Sequence, residues 1–155
     1  MRILVLLLAI ALVSSCKDQT KQQTTEQTND MFPIIGTWEL ISATTIQGDS
    51  TYQKDLSNKR MIKIINDSHF AFLNHDLNKG EDSLAVFVAG GGSYTLAGDT
   101  YTEVLEYCNF RKWESNTFEF NVKVKGDTLI QSGIEEIKEL GVDRKIIEVY
   151  IKTEK

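Results

Sequence analysis

Over long stretches of this chain, apolar side chains fall at every second position. Residues 37–46 place Trp38, Leu40, Ser42, Thr44 and Ile46 on one side, and residues 118–124 do the same with Phe118, Phe120, Val122 and Val124. Period two is the spacing of a half-buried strand. A repeated turn separates such stretches: Gln47-Gly48-Asp49-Ser50, Ala97-Gly98-Asp99-Thr100 and Lys125-Gly126-Asp127-Thr128 share the pattern x-Gly-Asp-[Ser/Thr]. Gly-Asp suits two-residue hairpin loops, which need a positive φ. Asn66-Asp67 is a fourth candidate turn. Hairpins in series predict an all-β chain, an antiparallel meander of eight or more strands. Such a sheet has edges to protect. Sequential hairpins favour closing it into an up-and-down β-barrel over splitting it into a sandwich.

The turns also set registers. A loop at Gly98-Asp99 places Leu96 opposite Tyr101 and Tyr94 opposite Glu103, so one face carries Tyr94, Leu96, Tyr101, Glu103, Leu105 and Tyr107. A loop at Gly126-Asp127 places Val124 opposite Leu129 and Val122 opposite Gln131. These apolar faces are expected to point inward, taking Glu103 and Gln131 with them. Ile134, Ile137 and Leu140 recur every third residue and Gly141 follows, which predicts a short helix before the last strand. That strand, residues 145–152, has apolar residues on both faces, so either face can be the inner one.

The start of the chain breaks the pattern. Residues 3–13 are an unbroken apolar run behind Arg2. The run is too short for a ~30 Å bilayer core and has the length of a signal-peptide core. Val13-Ser14-Ser15-Cys16 resembles the lipobox of bacterial lipoproteins, in which the cysteine is lipidated and becomes the first residue. The resemblance implies that residues 1–15 are a removed leader, that Cys16 carries acyl chains into a lipid bilayer, and that the protein is lipid-anchored in a bacterial cell envelope. Residues 17–31 hold four Gln and four Thr and no apolar periodicity. The division expected is therefore leader 1–15, lipidated cysteine and tether 16–33, and barrel 34–155.

Charge narrows the partners. The chain has 155 residues, with 17 Lys and Arg against 22 Asp and Glu, and a net charge of -5. An acidic chain lacks the basic footprint of a nucleic-acid binder. With two cysteines, one of them in the lipobox, no disulfide framework is expected. A monomer is expected.

Phe32-Pro33-Ile34-Ile35-Gly36-Thr37-Trp38 resembles the opening of lipocalins and related calycins, where a short 3-10 turn leads into Gly-x-Trp on the first strand. Residues 35–42, the glycine-rich stretch from Ala89 and residues 94–106 resemble the lipocalin-like domains of bacterial lipoproteins. The likeness implies a barrel floor closed by Trp38 and a cup that takes a small, partly apolar ligand. In lipocalins an arginine stacks on the floor tryptophan; Arg60 and Arg144 are the candidates. The Thr-Asp-Tyr motif of lipocalins is absent from this sequence.

Candidate ligand contacts are Trp38, His69, Tyr94, Tyr101, Glu103, Tyr107 and Gln131. Glu103, expected inside among tyrosines, is the leading one, because a carboxylate in an apolar cup must be paired or hydrogen-bonded. An internal network around it is the competing reading. Small barrels can hold haem through one histidine, but a single histidine is more often structural, and no cofactor is expected. Asp76-x-Asn78-x-Gly80-x-Asp82 has the alternating oxygens of a calcium loop. It has Phe87 where the bidentate acid belongs, so a solvated loop is expected and no metal. Gly90-Gly91-Gly92 lacks the Lys and the following helix of a phosphate cradle and reads as a bend. Cys108 has no evident base beside it in the sequence, and Trp113 is a candidate rim contact. No acid–base–nucleophile set converges, so an enzyme is not expected; the rival to ligand binding is a packed barrel acting as a protein-interaction module.

Overall fold

A computed structural model describes residues 34–153. The expectations for the leader, Cys16 and the tether lie outside the described residues.

The strands are β1 (Gly36–Gln47), β2 (Ser50–Gln53), β3 (Lys59–Ile65), β4 (His69–Asp76), β5 (Phe87–Ala97), β6 (Thr100–Leu105), β7 (Tyr107–Cys108), β8 (Asn116–Lys125), β9 (Thr128–Ile137) and β10 (Val142–Lys152). All pairings are antiparallel, and β10 returns to pair with β1. The result is a closed eight-stranded barrel. Two short strands are extensions of it. β2 takes the same edge of β1 as β3, further along: residues 36–39 face β3 and residues 44–47 face β2. β7 continues β6 along β5.

The three Gly-Asp turns are two-residue hairpin loops, closed by Gln47 and Ser50, Ala97 and Thr100, and Lys125 and Thr128. Their glycines have φ of 57°, 62° and 58°, the one positive φ at the first loop position that a type II′ turn requires. At the β3–β4 turn the Asn66 side chain accepts hydrogen bonds from the Ser68 and His69 amides, 2.9 and 2.7 Å. The registers read from these loops hold: Tyr94 faces Glu103, Leu96 faces Tyr101, Val122 faces Gln131 and Val124 faces Leu129.

Two local irregularities overturn strict alternation. In β1, Leu40 faces Tyr150 but Ser42 faces Val149, so Ile41 is an extra residue. It stands 54% exposed, and the buried residue beyond it is Ala43, not Ser42. In β6–β7, Tyr94 faces Glu103 but Gly91 faces Tyr107, again one residue too many for an even ladder. The extra residue reverses the faces. Tyr107, expected inward, is exposed, and Cys108 turns inward and is buried.

The expected helix before the last strand is absent. Residues through Ile137 continue β9, and only Lys138–Leu140 make a 3-10 turn, ended by Gly141 at φ 63°. Seven residues are too few for an independently stable helix, whereas pairing with β10, from Val142 opposite Ile137 onward, engages the first four of them in the ladder.

One end of the barrel is solid. Ile34, Trp38, Tyr101, Val122, Leu129 and Tyr150 are at most 2% exposed there. The Trp38 indole N–H donates to the Ile34 carbonyl at 2.7 Å. Neither arginine candidate stacks on this tryptophan. Lys152 does, its Nζ 5.2 Å from the ring centre. Arg60 lies outside, paired with Glu39 at 2.8 Å, and Arg144 packs over Trp113 at 5.5 Å.

Candidate functional site

The other half of the barrel is hollow. A half-open cavity of about 380 Å³ runs from the middle layer to the end formed by the loops around residues 54, 110 and 140. That size lies in the range of small-molecule sites. Its walls are Met61, Phe72, Leu105, Phe118, Phe120 and Ile146; Trp113 and Phe110 stand at the rim.

The floor of the cavity is polar. Lys63 reaches inward from β3 and is 2% exposed. It forms an ion pair with Glu103 of β6 and donates to Gln131 Oε1 of β9 at 2.6 Å. The ammonium also lies over the faces of Phe70, Tyr101 and Tyr150, at 5.4, 5.3 and 6.0 Å. Burial pushes the Glu103 carboxyl above its ordinary value, and the Lys63 charge works against that shift. Burial, with Glu103 beside it, drives the Tyr101 hydroxyl far above the ordinary tyrosine value, so it stays protonated.

Above the floor, β10 contributes two more charged residues. Glu148 accepts a hydrogen bond from the Tyr150 hydroxyl at 2.6 Å. Arg144 grips one oxygen of Glu135 with both Nε and Nη2, each at 2.6 Å. Burial raises the Glu135 carboxyl, Arg144 opposes it, and the charges of Glu148 and Glu103 add to the rise. Asn74 of β4 also lines the cavity; its side-chain oxygen is buried and has no hydrogen-bond partner.

The sequence-derived candidates separate cleanly. Glu103 and Gln131 meet at the cavity floor, with Tyr101 packed beside them. Trp38 lies in the solid end. Tyr94 is half-buried against Tyr101, ring centres 5.0 Å apart, and its hydroxyl donates to the Asn66 carbonyl at 2.7 Å. His69 is exposed outside the barrel, where its Nδ1 meets the Ser68 hydroxyl at 2.8 Å. Tyr107 is outside for the reason given above. Cys108 and Trp113 both line the cavity. In the polar loop after β4, the Asp76 carboxylate accepts the amides of Gly80 and Val86, both at 2.9 Å, and Asn78 bonds Asp82. These bonds clamp the loop from within.

Lys63, Asn74, Glu135 and Glu148 were not legible as site residues. Lys63 sits in Met61-Ile62-Lys63-Ile64-Ile65, which is apolar on both faces. Glu148 lies across the ladder from Gln131, a register that only the folded sheet reveals.

Comparison with protein-family models, curated proteins and solved structures finds no match to this chain.

Proposed function

We propose that this is a lipid-anchored envelope protein with a lipocalin-like barrel that binds a small, partly apolar ligand in its open half. The observation that carries the reading is the cavity: apolar and aromatic walls lead down to a small set of convergent polar groups. Burial of the ligand body against Phe72, Phe118 and Phe120 supplies affinity, and the polar layer orients its polar end. The rival, a solid barrel acting through its loops, fits the end closed by Trp38 but not the hollow end. Native mass spectrometry of protein purified from its own host tests the proposal. A co-purifying small molecule supports it, and a ligand-free mass in repeated preparations counts against it.

The anchoring part rests on Val13-Ser14-Ser15-Cys16. Cys16→Ala is expected to abolish labelling by fatty acid; a variant still labelled would refute the lipobox reading. The chain enters the barrel at its solid end, beside Trp38.

A further inference from the structure

The polar groups of the cavity are unevenly matched. Three carboxylates, Glu103, Glu135 and Glu148, face two inward cations, Lys63 and Arg144, and each of those cations is already committed to a partner. A third lining cation, Lys54, is exposed at the rim, where water screens it. Several acceptors that face the cavity are uncommitted; among the described residues the buried hydroxyl left without a partner is that of Tyr101, beside Glu103 at the floor. Both Arg144 bonds go to Oε2 of Glu135, and the Tyr150 bond goes to Oε2 of Glu148, so these contacts leave Oε1 of each carboxylate unused. Asn74 is 5% exposed, and its Oδ1 lacks any partner. A buried acceptor without a donor is costly and is normally satisfied by something.

From this juxtaposition we infer that the cavity takes an organic cation, a protonated amine carried on an apolar or aromatic body. The inference rests on the ligand-binding reading above and names the ligand class. An ammonium brings three donors, which suit the open oxygens of Asn74, Glu135 and Glu148. Its charge offsets the surplus carboxylate. Aromatic faces in the walls, Phe72, Phe118, Phe120 and Trp113, attract a cation through their quadrupoles. The barrel already stabilises one ammonium in this way, Lys63 among Phe70, Tyr101 and Tyr150. A ligand carboxylate would instead meet Glu135 and Glu148 with Lys63 and Arg144 both engaged.

Calorimetric titration of the purified full-length protein with three probes of one shape tests this: 2-phenylethylamine, 2-phenylethanol and 3-phenylpropanoate. The amine is expected to bind about tenfold or more tightly than the alcohol, the worth of one charged hydrogen bond, and the propanoate no more tightly than the alcohol. Glu148→Gln can keep the Tyr150 bond through its amide oxygen and is expected to remove the amine's advantage over the alcohol. Should that variant not fold, Asn74→Leu, which deletes an unpaired acceptor, is expected to lower amine affinity. Equal binding of amine and alcohol, tighter binding of the propanoate, or an undiminished amine advantage in the folded variant overturns the cation inference while leaving the cup intact. If all three probes fail to bind, the cation inference falls, and a ligand-free native mass would then remove the cup as well.

Discussion

Replacing Lys63 with methionine is expected to destabilise the barrel by about 3–5 kcal/mol, the cost of stranding one member of a buried ion pair. The loss comes from Glu103, which in a site 7% exposed and without its cation must either carry an unpaired charge or take up a proton. Changing both residues, Lys63→Met with Glu103→Leu, is expected to recover most of that loss, because two well-packed apolar side chains no longer require desolvation of charge. Urea unfolding of the single and double variants measures the difference. A single variant as stable as the parent would show that the pair contributes nothing to this interior. The pH dependence has a definite sign. The folded-state value of Glu103 is raised, so its contribution to stability is fully present below the ordinary carboxylate range. That contribution is lost as pH rises through the raised value. In Lys63→Met the opposing cation is gone, so the deficit is expected to be greatest near neutral pH and to shrink as the medium is acidified toward about pH 5.

Gly92→Ala is expected to cost on the order of 4 kcal/mol or more, in the range reserved for direct backbone disruption. A Cβ at residue 92 would overlap the Val104 carbonyl oxygen and approach the Glu106 amide at 2.8 Å. Both are backbone atoms at the irregularity that reverses β6 into β7, and neither can rotate away. Gly98→Ala is the control. Nothing lies within 4 Å of its Cβ, and only the positive φ of 62° is strained. Its expected cost is about 1–2 kcal/mol. Thermal melting of the two variants orders them. A Gly92→Ala protein as stable as Gly98→Ala would mean that the close approach at this crossing relaxes freely.

Whether the irregularity at Gly92 was visible beforehand shows where sequence reading runs out. Three glycines in a row announced a bend, but not which residue was supernumerary. One residue decides whether Tyr107 or Cys108 enters the lumen, and both are plausible interior side chains. The same holds at Ile41, where alternation through residues 37–46 gave no hint of a bulge. The missing helix has a related cause. A three-residue repeat from Ile134 to Leu140 is a local signal, and the ladder that overrode it belongs to β10, a partner the repeat does not reveal.

The candidate site divides along the same line. Glu103 and Gln131 were legible because each lies a few residues from a Gly-Asp loop whose two-residue length dictates register. Lys63, Arg144 and Glu148 were not, because β3 and β10 carry aliphatic residues on both faces. In β10 the inner set is Arg144, Ile146, Glu148, Tyr150 and Lys152, while Ile151 is 38% exposed outside. Hydrophobicity alone would have favoured the opposite choice. The charged face is tolerable inside because β9 brings Glu135 to Arg144, and Tyr150 of β10 itself donates to Glu148.

The amino-acid pattern was enough for the strand period, the turn positions and the registers beside those turns, since these follow from contacts a few residues apart; the run of hairpins favoured a barrel, but its closure is made by β1 and β10 from opposite ends of the sheet. Only the assembled barrel decided that one end is solid and the other hollow, which faces of β3 and β10 turn inward, and that a lysine is neutralised by a glutamate forty residues away. Those outcomes depend on side chains meeting across the lumen. The energy of burying a charge is set by its partner, and the partner is chosen by the closure of the sheet.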